Sequence, residues 1–195
     1  RAATVFEESY FGPVMFEGQA VAELVVQRLF GGNNGLIANR SPVVSNAGAG
    51  YGSSREETLD DRVGRRILSP EIDILAQPGL KRYNGVHLLG SYEVDMEGIR
   101  PPDELALVEN GILKTLLSNR TPTLKVLESN GHERPLLNGY GPSSVTGPGV
   151  IIVSTTDGKK KQELKQELLR RARDEGMEYG ILVRRLCPQN AGSGT

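Results

Sequence analysis

Apolar positions recur at two spacings along this chain, and each change of period marks an element. Val21, Leu24 and Val25 fall on one face of a helix, with Val14, Phe16 and Leu29 extending the apolar content around them. The pattern predicts a loop at Gly12 and Pro13 opening a helix within residues 14–30. Gly31, Gly32 and Gly35 with Asn33 and Asn34 supply a helix stop, because both residue types accept the left-handed conformation. Before it, β-branched and aromatic residues predict a strand at 2–10.

Further on the period shortens. Residues 66–69 and 71–75 read as strands, the second with clean alternation, and Gln77, Pro78 and Gly79 form a turn. Residues 86–94 read as another strand interrupted by Gly90. The strongest local signal is Asn110-Gly111 between two apolar runs, which predicts a hairpin within 105–117 through a turn that needs two positive φ angles. Asn130-Gly131 and Asn138-Gly139 predict further turns.

The uninterrupted apolar run at 149–154 suits a buried strand. Thr156 and Asp157 offer an N-cap for a helix over 159–175 with Leu164, Leu168 and Ala172 on one face, and Gly176 ends it. Residues 179–186 return as a strand, and a right-handed crossover would set it parallel to the strand before the helix. These elements predict an α+β fold: a mostly antiparallel twisted β-sheet with one early helix and one late helix in a strand–helix–strand unit. The 24 glycines agree with a turn-rich, sheet-rich chain.

Composition narrows the function classes. A chain of 195 residues, 37% hydrophobic and 24% charged, can bury the core of one domain. Its formal net charge of -1 gives no field that gathers nucleic acid, and no apolar run approaches the ~20 residues that span a bilayer. Residues 39–61 read as a long polar loop insertion and 189–195 as a flexible tail. The chain begins at Arg1, and both ends read as cuts in something longer.

Candidate chemistry is sparse. His87, His132 and Cys187 do not share the short spacings of zinc sites. Cys187 has Arg184 and Arg185 nearby to favour a thiolate, but no evident base. Asp95 and Glu97 would share a strand face and could serve a cation or proton transfer, or else anchor a turn at Gly98. Lys159, Lys160, Lys161, Arg170 and Arg171 are interleaved with Glu163, Glu167 and Asp174, the mark of a solvated helix face. The glycines of 139–149 lack the lysine and helix start of a phosphate loop.

Four blocks in order, GPVMFEGQA at 12–20, GSYEVDMEGI at 90–99, LVENGIL at 107–113 and SNGHERP at 129–135, resemble the C-terminal region of the TldD/PmbA family, the modulator-of-DNA-gyrase metallopeptidases. The resemblance implies a C-terminal domain over 1–188. In the catalytic branch the first block carries His-Glu-x-x-x-His, whose histidines bind zinc and whose glutamate activates water. Aligned on that glutamate, Glu17 is retained, while Phe16 and Val21 stand at the histidine positions. The later cysteine ligand has no counterpart in the pattern around Cys187.

The chain is therefore similar to the PmbA-type branch. That likeness implies no metal or cofactor here, a peptide substrate, and a homo- or hetero-dimer with a TldD-like subunit that hydrolyses it. Neither nucleic acid nor membrane is implied. Glu17 becomes a vestigial general base, and Asn130, Gly131, His132 and Arg134 are the expected peptide or partner loop. Two other functions compete: a non-enzymatic binding module of a larger exported protein using the 39–61 loop, and a hydrolase built on Cys187. The family implies the cytoplasm, and a missing N-terminal part leaves export open.

Overall fold

The structure, a computed structural model, describes residues 9–31, 35–38, 59–138 and 141–186. It is α+β and mostly antiparallel, with ten strands and two α-helices among those residues. The chain divides into two compact units, one running up to Val25 and again from Gly158, the other from Val26 to Asp157.

In the first unit β1 (Val14–Phe16) pairs in parallel with β10 (Ile181–Val183), with Val14 opposite Ile181 and Phe16 opposite Val183. Residues expected to begin the early helix are thus a strand. Three residues of strand are stable only with a partner, and that partner lies at the far end of the chain. Helix α1 (Gln19–Val25) starts after Gly18. It buries Ala20, whereas Val21 is exposed, so its inward face is not the one that apolar spacing suggested.

Helix α2 (Lys161–Asp174) buries Leu168 and Ala172 as expected, with Leu164 half out. Thr156 and Asp157 do not cap it. Lys160 takes the cap position, and its backbone N–H donates to the Glu163 carboxylate at 3.1 Å. At the other end Gly176 adopts φ +72 while Gly176 N–H and Met177 N–H donate to the carbonyls of Arg173 and Ala172. Those crossed bonds satisfy carbonyls that a helix end otherwise leaves free. The order strand, α2, strand holds, but β10 takes β1 as its parallel partner and the strand before α2 belongs to the other unit.

The second unit opens with a π-helical turn at Val26–Phe30 and centres on a four-stranded sheet. Its strands are β2 (Ile72–Ala76), β5 (Leu105–Glu109), β6 (Ile112–Leu113) and β9 (Ile151–Thr155), ordered β6-β5-β2-β9. Asn110 at φ 49 and Gly111 at φ 73 make the β5–β6 hairpin as its sequence dictates. The hairpin also needs its glycine for space, since a Cβ on Gly111 would collide with the carbonyl oxygens of Leu68 and Ser69.

Ile74, Ala76, Leu107, Val108, Leu113, Leu116 and Leu117 are fully buried and form the core of this unit. Each large aliphatic side chain so removed from water contributes about 1.5–3 kcal/mol. Strand β9 is not the buried strand its apolar run suggested. It lies at the sheet margin, and Val153, Ser154 and Thr155 are exposed.

Two hairpins complete the unit. β3 (Arg82–Tyr83) and β4 (Val86–His87) join through Asn84-Gly85, so the strand expected across 86–94 shrinks to its first two residues. Beyond Leu88 the backbone turns around the buried carboxylate of Asp95. β7 (Glu133–Asn138) pairs with β8 (Gly141–Thr146). The expected strand at 66–69 is a single bridge from Arg66 to Ile112. Of the polar insertion 39–61 only the last residues are described, in a 3-10 turn at Leu59–Arg62 that buries Asp60. The strand expected at 2–10, the tail and Cys187 fall wholly or largely outside the described residues. Among the described residues no helix is long and apolar enough to cross a membrane.

Candidate functional site

Two clusters, one in each unit, hold Glu17 and the Asp95 and His132 blocks singled out in the sequence. The first surrounds Glu17, at the end of β1. Its backbone N–H donates to the Val183 carbonyl at 2.9 Å, extending the β1–β10 ladder by one residue. Its side chain is only 13% exposed and carries two cations: Lys161 Nζ lies 2.5 Å from Oε2, and Arg184 Nε donates to Oε1 at 2.8 Å. The Lys161 ammonium, then the Arg184 guanidinium, hold this carboxyl below its ordinary range.

A carboxylate stabilised twice in its charged form is a weak proton acceptor. It is also a poor metal neighbour, because an ammonium and a guanidinium offer a cation no lone pair. Phe16 and Val21, which the resemblance aligns with histidines, offer only carbon. Zinc does not fit the residues around Glu17. Among the described residues no three His, Cys, Asp or Glu side chains gather closely enough to hold a metal ion.

The second cluster joins two blocks that lie far apart in the sequence. Asp95 is buried in the turn after β4, and its Oδ1 accepts the N–H groups of Glu97 and Ile99 at 2.9 and 2.8 Å. Its Oδ2 accepts the Glu133 N–H at 3.1 Å, while the Met96 N–H donates to the Glu133 carbonyl at 2.9 Å. Glu97 accepts the Arg120 N–H at 2.8 Å. The two acids are turn anchors that bind loops together, and the positive φ of Gly98 closes the turn.

Asn130 is the pivot of the following loop. Its Oδ1 accepts the Ser118 N–H at 2.8 Å, its Nδ2 donates to the Leu116 carbonyl at 2.7 Å, and its own N–H donates to Ser118 Oγ at 3.0 Å. Gly131 sits at φ +75 with Pro101 so near that a Cβ would approach Pro101 Cα and N to 2.9 Å. His132 is fully buried. Its Nδ1 lies 2.9 Å from both the Asn130 carbonyl and Asn130 Oδ1, two acceptors, so Nδ1 carries the proton of a neutral ring. Nε2 is buried with no hydrogen-bond partner. Burial pushes the imidazole down to about 4.

Tyr92, Asn119 and Glu133 complete the cluster and were not distinguished in the sequence. The Tyr92 ring meets His132 edge-on at 6.2 Å, and its hydroxyl donates to the Gly131 carbonyl at 2.8 Å. Burial raises that phenol to about 12. The Arg134 guanidinium lies 3.7 Å above the same ring, a cation–π contact. Glu133 is buried and accepts from Asn119 Nδ2 at 3.0 Å and Thr146 Oγ1 at 3.1 Å.

Of the four loop residues expected to contact a peptide or partner, Gly131 and His132 are buried, Asn130 is half-buried and spent on internal bonds, and Arg134 is half-exposed. The only available hint of Tyr92 and Glu133 was their place inside two of the blocks that carry the family resemblance. His87 lies apart, exposed on β4.

Residues 9–194 match the model of the PmbA/TldA metallopeptidase C-terminal domain. The chain belongs to that family. Over 80 residues it is 35% identical to a metalloprotease of Methanothermobacter thermautotrophicus, a match covering 40% of this chain and 16% of that relative's length. It is also similar to a Thermotoga maritima structure described as a candidate modulator of a DNA gyrase, with 24% identity and a TM-score of 0.45 across 69% of this chain and 26% of that one. TldE from Thermococcus kodakarensis gives 22% identity and a TM-score of 0.41 across 56% of this chain and 23% of that one. The chain thus spans about a quarter or less of the relatives it matches. Its PmbA/TldA domain holds a glutamate in a cationic clamp in one unit and a buried histidine cluster in the other.

Proposed function

We propose that this PmbA/TldA domain belongs to the half of a metallopeptidase assembly that binds peptide or a catalytic subunit and does not itself activate water. One observation carries the reading: Glu17 lies between Lys161 and Arg184, with carbon side chains at 16 and 21 where metal ligands would stand. Deprotonating water needs a base with some affinity for a proton, and the clamp removes it. Glu17 then acts as a tie between β1, α2 and β10. In the second unit Asn130, Gly131 and His132 set the loop, and Arg134 offers its guanidinium to a carbonyl or carboxylate of the bound peptide or partner.

The test is metal content and peptidase activity of the purified chain, alone and mixed with a TldD-type subunit. The reading expects substoichiometric zinc, no hydrolysis by the chain alone, and weaker association of Arg134→Ala with the mixed assembly. Stoichiometric zinc that Glu17→Gln abolishes would overturn it.

A further inference from the structure

Asn-Gly steps occur at 34–35, 84–85, 110–111, 130–131 and 138–139, and those at 34–35 and 138–139 reach outside the described residues. Each step carries the parts of a reaction within itself, because a glycine nitrogen with no Cβ beside it can attack the asparagine side-chain carbon. A bond forms from that nitrogen to Cγ and closes an imide ring. The Cγ–Nδ2 bond breaks, and ammonia leaves with the proton the nitrogen gives up. Water then opens the ring at either carbonyl, leaving aspartate or an isoaspartate whose main chain runs through Cγ.

Ring closure requires the asparagine Cα–C bond to rotate until Cβ and the following nitrogen eclipse. Asn84 at φ 48 and Asn110 at φ 49 sit in left-handed turns that hold those atoms apart, so each turn must open first. Chemically alike steps are then separated by how much structure the opening breaks.

At Asn110-Gly111 the fold is closed around the step. Gly111 is buried, its N–H donates to the Ile72 carbonyl at 2.9 Å, and its carbonyl accepts the Ile67 and Leu68 N–H groups at 2.9 and 3.2 Å. The Asn110 N–H donates to Asp73 Oδ1 at 2.6 Å, and its carbonyl accepts from Arg66 Nη1 at 2.8 Å. Asn130-Gly131 is closed differently. The side-chain amide that would have to leave is bonded to Leu116 and Ser118, and the buried Gly131 donates its N–H to Ser129 Oγ at 3.2 Å.

Asn84-Gly85 is open. Residues 81–87 are all exposed, and a Cβ on Gly85 would meet nothing within 4 Å. Its hairpin holds two residue pairs, Arg82 with His87 and Tyr83 with Val86, and joins no larger sheet among the described residues. Two strands alone are marginally stable in water, so this turn opens at little cost.

We infer that Asn84-Gly85 is a spontaneous modification site of this domain, where water is consumed and ammonia released to leave aspartate or isoaspartate at the tip of the β3–β4 hairpin. Either product brings a carboxylate to a hairpin whose base carries Lys81 and Arg82. Isoaspartate also adds a carbon to the main chain, which shifts the Tyr83–Val86 register that a two-residue turn sets.

The purified chain, incubated at mildly alkaline pH and digested in acid, is mapped by mass spectrometry with fragmentation that separates aspartate from isoaspartate. In the folded chain Asn84 is expected to deamidate at least about tenfold faster than Asn110 and Asn130. In urea the three rates should converge, because only the fold separates them. A folded-state advantage below tenfold overturns the proposal, and so does an equal preference for Asn84 in urea. Neither readout depends on zinc or on a bound peptide, so the reading of Glu17 stands or falls separately.

Discussion

Acidifying the protein should destabilise it through His132. The ring is fully buried, with its Nδ1 proton spent on Asn130 and its Nε2 facing no partner, so a second proton would place an unpaired charge in the interior. The folded imidazole is pushed down to about 4, against about 6.5 in an unfolded chain. Between those values the unfolded state binds the proton and the native state does not. Stability is therefore complete above about pH 6.5 and falls with pH toward 4, where the loss levels off.

One pKa unit is about 1.4 kcal/mol, so the full effect is about 3 kcal/mol, of which about 2 kcal/mol appears between pH 7 and pH 5. Ordinary carboxylates scarcely titrate in that narrower window. Urea unfolding of the native chain and His132→Gln, followed by circular dichroism at pH 7, 6 and 5, isolates the histidine by difference. The variant should be less stable at pH 7 because packing and the Asn130 bond are lost. The native advantage should then shrink by about 2 kcal/mol by pH 5. A difference independent of pH would refute the reasoning. So would a C2 proton resonance, missing from His132→Gln, that titrates near 6.5 in the folded protein.

Two further substitutions follow from the same geometry. Gly131→Ala meets both a left-handed backbone and the Pro101 main chain, and should cost about 2–4 kcal/mol in urea unfolding. Gly98→Ala, at φ +77 with nothing within 4 Å of its Cβ, should cost only about 1 kcal/mol. Glu17→Gln should destabilise the protein at neutral pH. Because the Glu17 carboxyl is held low, the native advantage should persist above about pH 4.5 and vanish as pH falls through the lowered value; paired thermal melts would read it.

What the sequence determined by itself is local. Asn110-Gly111 sets the β5–β6 hairpin because two positive φ angles are cheap for those residues, and no distant partner is needed. Gly176 ends α2 for the same reason, and the alternation at 71–75 places Ile74 inside β2. That Phe16 and Val21 carry only carbon side chains was equally legible, since it is read directly from the sequence.

Only the tertiary structure decided the rest. Val14 and Phe16 carry a spacing that a helix could use, and they become strand because β10, from the other end of the chain, supplies their hydrogen bonds. The run at 149–154 reads as interior, yet β9 lies at a margin: apolar content records affinity for burial, not whether a neighbour arrives on both sides. Asp95 reads as a strand-face residue or a turn anchor, and His132 as part of a peptide or partner loop. They become buried anchors because the turns carrying them pack on each other, and a buried polar atom must take whatever partner that packing brings. Lys161 reads as part of a solvated helix face and Arg184 as a cation near Cys187; the fold sets both against Glu17.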